Sequence, residues 1–225
     1  MIPPMIPPMI SRTSHMELAR LRARRHGHIG LLGGSFNPAH QGHAHIADIA
    51  AAELQLDQVI WLVSPQNPLK SSHDMASFTH RMASAKGMAQ QCRRHHHMQV
   101  SALEHLLRLR YTADTIRYLA RTCPRLTFYW LMGADNMAQF HQWHRTDDII
   151  RHTRLVVVNR PGYQAAALSS RMASRMVRLP ARRLRRMKHK LSHYRKQNYW
   201  SFIQPRLNPL SATDIRASQH RKTKQ

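Results

Sequence analysis

From His28 onward the chain alternates short apolar runs with stretches of helical periodicity, and this alternation most narrows what it can fold into. The strand candidates are residues 28–32, 58–63, 98–103, 126–132, 155–159 and 200–203. Between them, Ile46, Ile49, Ala50 and Leu54 share one helical face, as do Ile116, Leu119 and Ala120 within residues 112–121. Parallel strands need long crossovers, usually helical, so strands separated by helices imply repeated βα units. The expectation is one α/β domain over residues 28–220, a doubly wound parallel sheet of Rossmann-like form. Residues 163–199 divide poorly between helix and basic loop, and 221–225 read as a tail. Residues 1–10 repeat Met-Ile-Pro-Pro, which removes helix donors and lacks the charged start and apolar heart of a signal peptide. Residues 1–27 are therefore expected to be a disordered extension or a start assigned too early, with Met16 as the alternative initiator.

Composition supports a packed domain and adds a charge problem. Of 225 residues 42% are hydrophobic, enough for a core, and no stretch approaches the roughly 18 uninterrupted apolar residues of a membrane span. Cys92 and Cys123 are far apart and outside metal-type spacing, which disfavours a disulfide framework or cysteine zinc site and points to a reducing cytoplasm. Lys and Arg number 35 against 11 Asp and Glu, and no acid occurs between Asp148 and Asp214. Arg151, Arg154, Arg160, Arg206 and the dense run over 171–196 lie in that gap. Such a surplus suits nucleotide phosphates or nucleic acid, and equally a solvated basic face. Charge alone does not choose between an enzyme and a nucleic-acid binder.

Ligands of open α/β sheets bind beyond the carboxyl ends of the strands, which directs attention to the junction after the first strand. It reads Gly33-Gly34-Ser35-Phe36-Asn37-Pro38-Ala39-His40-Gln41-Gly42-His43. The glycines permit close backbone approach, Pro38 stiffens the turn, and Gly42-His43 open a helix whose N-terminus favours phosphate. His40 and His43 are spaced to face one ligand from the first turn. Near the C-terminus, Ser211 with Asp214 has the form of a capping box, so Ser211-Ala212-Thr213-Asp214-Ile215-Arg216 should open another helix whose amides, hydroxyls and Arg216 suit a triphosphate. His95, His96 and His97 are adjacent and do not share a face, so a solvated turn is expected there rather than a metal site.

The first segment resembles the GxFxPxHxGH signature of the HxGH nucleotidyltransferases, and the second resembles their ISSTxxR motif, with Ala212 in place of the second serine. Further segments resemble the bacterial nicotinate-nucleotide adenylyltransferases. They are the loop from Val63 to Lys70, Tyr111-Thr112-Ala113-Asp114-Thr115, the block from Phe128 through Gly133-Ala134-Asp135 to Trp143-His144-Arg145, and the turn Asn159-Arg160-Pro161-Gly162. The likeness spans residues 28–220 and is thin over 163–199.

That resemblance implies a nucleotidyltransferase fold and adenylyl transfer from ATP to nicotinate mononucleotide with magnesium, in NAD biosynthesis. It also implies that Gly33, Gly34, Ser35, Phe36, His40, His43, Ser211, Thr213 and Arg216 bind ATP, with His40, His43 and Arg216 catalytic. Lys70, Thr112, Asp135, Trp143 and His144 would form the acceptor side. Four of them have a plainer reading: Trp143 as core, Thr112 as helix N-cap, Asp135 as a cap, and Lys70 as a solvated loop residue. The rivals are an adenylyltransferase for nicotinamide mononucleotide or pantetheine phosphate and, less favoured, a basic nucleic-acid binder. A homo-oligomer stays open, and no membrane partner is expected.

Overall fold

The computed structural model describes residues 8–65, 75–187 and 198–205, with side chains from residue 15 onward except Glu17. The described strands are β1 (Gly27–Gly34), β2 (Gln58–Val63), β3 (Met98–Ser101), β4 (Leu126–Gly133), β5 (Arg154–Val158), β6 (Val177–Arg178) and β7 (Tyr199–Ile203). They form one sheet of order β3-β2-β1-β4-β5-β7-β6 with every pairing parallel, as expected of a doubly wound α/β domain. The two-residue β6 lies in the basic stretch, too short to announce itself as an apolar run.

The helices are α1 (Pro8–Ala23), α2 (Gln41–Leu54), α3 (Phe78–Gln90), α4 (Leu103–Leu106), α5 (Thr112–Thr122), α6 (Ala134–Gln139), α7 (Thr146–His152), α8 (Gln164–Leu168) and α9 (Ala181–Arg186). Side chains alternate across a strand, so each central strand feeds two cores. Leu31, Ile60, Trp130 and Leu155 pack with Ile116, Met137 and Ile149 from α5, α6 and α7. Leu32, Trp61, Tyr129 and Val156 pack on the other face with Ile46, Met82 and Leu184 from α2, α3 and α9. Burial on both faces explains why these strands read as continuous apolar runs.

The structure differs from expectation at the N-terminal segment and resolves an open choice further on. The segment expected to be a disordered extension is helical over Pro8–Ala23, and Leu18 and Leu21 are buried against the core that contains Ile116 and Leu126. The helix begins at the last proline of the repeat, where a fixed φ and a missing N–H are tolerated. Within the uncertain stretch 163–199, α8, β6 and α9 are ordered elements. Arg154 organises part of it from the start of β5. It is 3% exposed and donates to the carbonyls of Leu184 (2.7 Å) and Met187 (2.6 Å) at the end of α9, and to the Tyr129 hydroxyl (3.0 Å). A cation at a helix C-terminus satisfies carbonyls that have no partner within the helix.

Burial of Leu21 at 2% exposure makes α1 testable. Leu21→Ala should cost about 2 to 5 kcal/mol in chemical denaturation, the scale for truncating a buried leucine. Wild-type stability in this variant would mean that α1 does not belong to the core.

Candidate active site

Strand order reverses between β1 and β4, so their carboxyl ends open the crevice where ligands of such sheets bind. Gly33 and Gly34 are the last two residues of β1 rather than part of the loop. A Cβ on Gly33 would run into the Trp130 ring, so core packing already requires that glycine. The turn proper starts at Ser35, and Phe36 takes φ 48°. Phe36 is buried, stacks on buried Trp61 at 5.3 Å and meets the edge of His43 at 5.0 Å. An aromatic floor therefore sets the plane of His43.

The two motif histidines close the start of α2. His40 is its N-cap, and its Nδ1 accepts from the Gly42 amide at 3.1 Å. His43 Nδ1 accepts in return from the His40 amide at 3.2 Å, and the ring centroids lie 3.9 Å apart. This is a capping box in which imidazoles replace the usual hydroxyl and carboxylate. An Nδ1 that accepts a hydrogen bond leaves the ring proton on Nε2. Both imidazoles are thus set as Nε2–H donors, and the Gly42 amide, which a phosphate would have used, is already taken.

Across the crevice, Arg160 of the turn after β5 pairs with Asp135 at 3.2 Å. A Cβ on Gly42 would lie 2.7 Å from Arg160 Nη2 and 3.0 Å from the His40 ring, so the glycine between the histidines makes room for both. Gly133, at the end of β4, lies under the same guanidinium and directly beneath Asp135 Oδ1. Asp135 Oδ1 is buried with no hydrogen-bond partner among the described residues, an acceptor that a ligand hydroxyl could meet. Sequence reading placed Arg160 only within a turn; its approach to His40 comes from the β1/β4/β5 adjacency.

Thr112 and His144 both stand beside Tyr111 or its ring, at the start of α5 and just before α7. Thr112 is the first residue of α5, and the cap position is Tyr111, so the plain N-cap reading fails. Tyr111 stacks on His144 at 4.2 Å. Arg145, at φ 52°, bridges Asp148 (2.7 Å) and Asp114 (3.9 Å), which ties the start of α7 to that of α5. Trp143 is half-buried and edge-on to Trp130 (6.1 Å) and Phe140 (5.3 Å), so it packs on the core while keeping an accessible part. Beneath this side, buried Glu104 accepts from Thr115 Oγ1 at 2.8 Å, a contact that no local sequence signal announces.

Another buried group that sequence reading missed is Arg81, which donates to the carbonyls of Ser35 (2.8 Å), Ser64 (2.7 Å), Pro65 (2.8 Å) and Ala76 (3.1 Å). Lys70, Ser211, Thr213 and Arg216 lie outside the described residues. Among the described residues, no three His, Cys, Asp or Glu side chains gather as metal ligands, and no helix is long and apolar enough to cross a membrane. His95–His97 form a single 3-10 turn, with His95 and His96 exposed.

Residues 31–218 match the model of the cytidylyltransferase-like family. A protein of Brucella suis biovar 1 named probable nicotinate-nucleotide adenylyltransferase is 40% identical over 194 residues, 86% of this chain and 96% of the relative. A protein of the same name from Methylorubrum extorquens strain PA1 is also 40% identical, over 84% of this chain and 98% of its own. Among solved structures, the Plasmodium falciparum nicotinic acid mononucleotide adenylyltransferase complexed with NaAD has a TM-score of 0.57 at 16% identity, covering 80% of this chain and 76% of its own. That likeness is one of fold.

Burial pushes the Glu104 carboxyl up from its ordinary 4.5 to about 7, partly opposed by the Thr115 hydrogen bond. Between those values the folded chain keeps a proton that the unfolded chain releases, so stability falls as pH rises through the window. Glu104→Gln, which keeps the neutral form, should flatten that fall in denaturation curves taken from pH 4 to 8. An unchanged slope would remove Glu104 as its source.

Proposed function

Because the chain belongs to the cytidylyltransferase-like family and, within it, to the nicotinate-nucleotide adenylyltransferases, we propose that it makes deamido-NAD and pyrophosphate from ATP and nicotinate mononucleotide, a step of NAD biosynthesis. The geometric observation that supports the residue roles is the pair of imidazoles that accept backbone amides at Nδ1 at the start of α2, an arrangement that leaves Nε2–H as the donor on each. A phosphate oxygen of the mononucleotide attacks the α-phosphorus of ATP. One P–O bond forms, the α–β bridging bond breaks, and the electron pair leaves with pyrophosphate. No protein nucleophile is needed. The protein contributes orientation, which can supply about 7 to 11 kcal/mol, and stabilisation of the developing charge.

In this reading His40 and His43 donate to the ATP phosphates around the reacting phosphorus, beside Gly33 and Gly34 at the end of β1 and the turn at Ser35 and Phe36. Ser211, Thr213 and Arg216 hold the tail that leaves. Arg160 adds a cation next to His40 on the β4 side, with Asp135 as its counter-ion in the absence of phosphate. The open Oδ1 of Asp135 accepts from a ribose hydroxyl of the acceptor nucleotide. Trp143 supplies apolar surface to the pyridine ring, Thr112 and His144 supply donors to its carboxylate, and Lys70 reaches the acceptor phosphate.

The family's reactions use a divalent cation, and magnesium is the one proposed here. It suits this chain because magnesium is held largely by substrate phosphates and water rather than by a protein cage. When bound with ATP it neutralises charge on the β- and γ-phosphates. A cytoplasmic enzyme meets both substrates without a membrane step.

Purified protein with magnesium and ATP should form deamido-NAD from nicotinate mononucleotide, with pyrophosphate release stopped by chelation. No product from any pyridine nucleotide would refute the assignment. His43→Ala should lower kcat by about 10² to 10³ with a smaller change in acceptor KM, the scale for losing one preorganised donor. An unchanged kcat would make His43 structural.

Acceptor choice separates two residues. Trp143→Ala should weaken nicotinate and nicotinamide mononucleotides alike, since both rings stack. Thr112→Val should cut activity on the nicotinate form selectively, because an unmatched polar group discriminates more strongly than shape. A Thr112→Val enzyme with its preference intact in kcat/KM would show that the carboxylate is recognised elsewhere.

A further inference from the structure

Arg81 sits in the first turn of α3, 1% exposed, and no ion pair among the described residues includes it. Burial without a carboxylate lowers its pKa from the ordinary value. Four of the five N–H donors of a guanidinium are spent on main-chain carbonyls: Nη1 on Ser35 and Ser64, Nη2 on Pro65, and Nε on Ala76. Its carbon lies 5.4 Å from the centre of the Phe78 ring, and His105 packs on Phe78 at 4.2 Å. Those four carbonyls come from the turn after β1, the exit of β2 and the approach to α3. Converging carbonyl dipoles repel, and the cation is what holds them together.

In a trans peptide the C=O and the following N–H point to opposite sides. A carbonyl turned inward onto Arg81 therefore turns the next amide outward. For Ser35 that amide belongs to Phe36, whose φ of 48° places it in the kind of turn that aims amides at anions. The same α3 grips this turn twice more, through Ser84 Oγ on the Ala39 amide at 3.0 Å and through the Ala76 amide just before it on Asn37 Oδ1 at 3.1 Å.

We propose that Arg81 is a positioning residue for phosphate binding: by drawing the carbonyls of Ser35, Ser64 and Pro65 beneath the exits of β1 and β2, it aims the Phe36 amide at a substrate phosphate. The inference rests on the adenylyl-transfer reading for the identity of that phosphate. Lysine keeps the charge but has one nitrogen and three donors, so it cannot span four carbonyls.

The test compares wild type with Arg81→Lys and Arg81→Ala, checked for folding by near-UV circular dichroism, in binding of inorganic pyrophosphate, nicotinate mononucleotide, adenosine and nicotinate riboside. Both variants should bind the phosphate-bearing pair weaker by a factor on the order of ten, the scale of one charge-assisted hydrogen bond, and the phosphate-free pair as wild type does. Equal losses for both pairs, or none, would overturn the proposal. Should neither variant fold, the wild type still decides: its Phe36 amide should move downfield in ¹⁵N–¹H spectra as pyrophosphate is added, and a static Phe36 resonance overturns it. A wild type that shows the Phe36 shift yet makes no deamido-NAD would sink the proposed reaction and leave the positioning role standing.

Discussion

The capping of α2 by two imidazoles is the interaction on which the rest of the site depends. Each Nδ1 accepts a backbone N–H, so the helix start is closed and both rings are held by the same turn they satisfy. The positive end of a helix ordinarily meets an anion through its own amides. Here the Gly42 amide feeds His40, and accepting at Nδ1 leaves that imidazole its Nε2–H as the donor. The surrounding residues serve this arrangement: Phe36 and Trp61 fix the plane of His43, and the absence of a Cβ at Gly42 admits both the His40 ring and Arg160.

The charge surplus of +24 looks different once the arginines are sorted by surroundings. Arg81 and Arg154 are buried, and both are held by main-chain carbonyls rather than carboxylates. A chain with 11 acids can bury cations in this way because a planar guanidinium offers five donors to whatever acceptors converge on it. The two work at opposite ends of the sheet. Arg81 gathers loops at the carboxyl ends of β1 and β2, while Arg154 anchors the end of α9 at the start of β5. Such cations are costly if a partner is lost, so each stabilises one arrangement of loops over its alternatives.

Strand positions, the parallel sheet and the β1–α2 junction were legible in the chain because they rest on local periodicity and on residues near one another in sequence. Strands β1, β2, β4, β5 and β7 are buried on both faces and so appear as apolar runs, and the glycine, proline and histidine motif marks its own turn. Helix α1 is hard to read from the chain because its support, the burial of Leu18 and Leu21 in the core that contains Ile116 and Leu126, is tertiary and follows a proline repeat that locally denies a helix. Gly33 was assigned to ligand approach, whereas the Trp130 ring already forbids any side chain there.

The sequence by itself determined the fold class, the location of the glycine-histidine turn after β1 and the residue types gathered there, since each follows from spacing within one or two elements. Tertiary structure decided which groups act on those residues. Arg160 reaches Gly42 only because the turn after β5 and the start of α2 meet beside β4; Arg81 is a loop clamp only because the exits of β1 and β2 close over α3; and the Glu104 carboxyl is pushed up only because the surrounding core covers it, against the pull of its Thr115 hydrogen bond. A buried charge takes its meaning from the atoms that surround it, and these are brought together by chain crossings that no local pattern records.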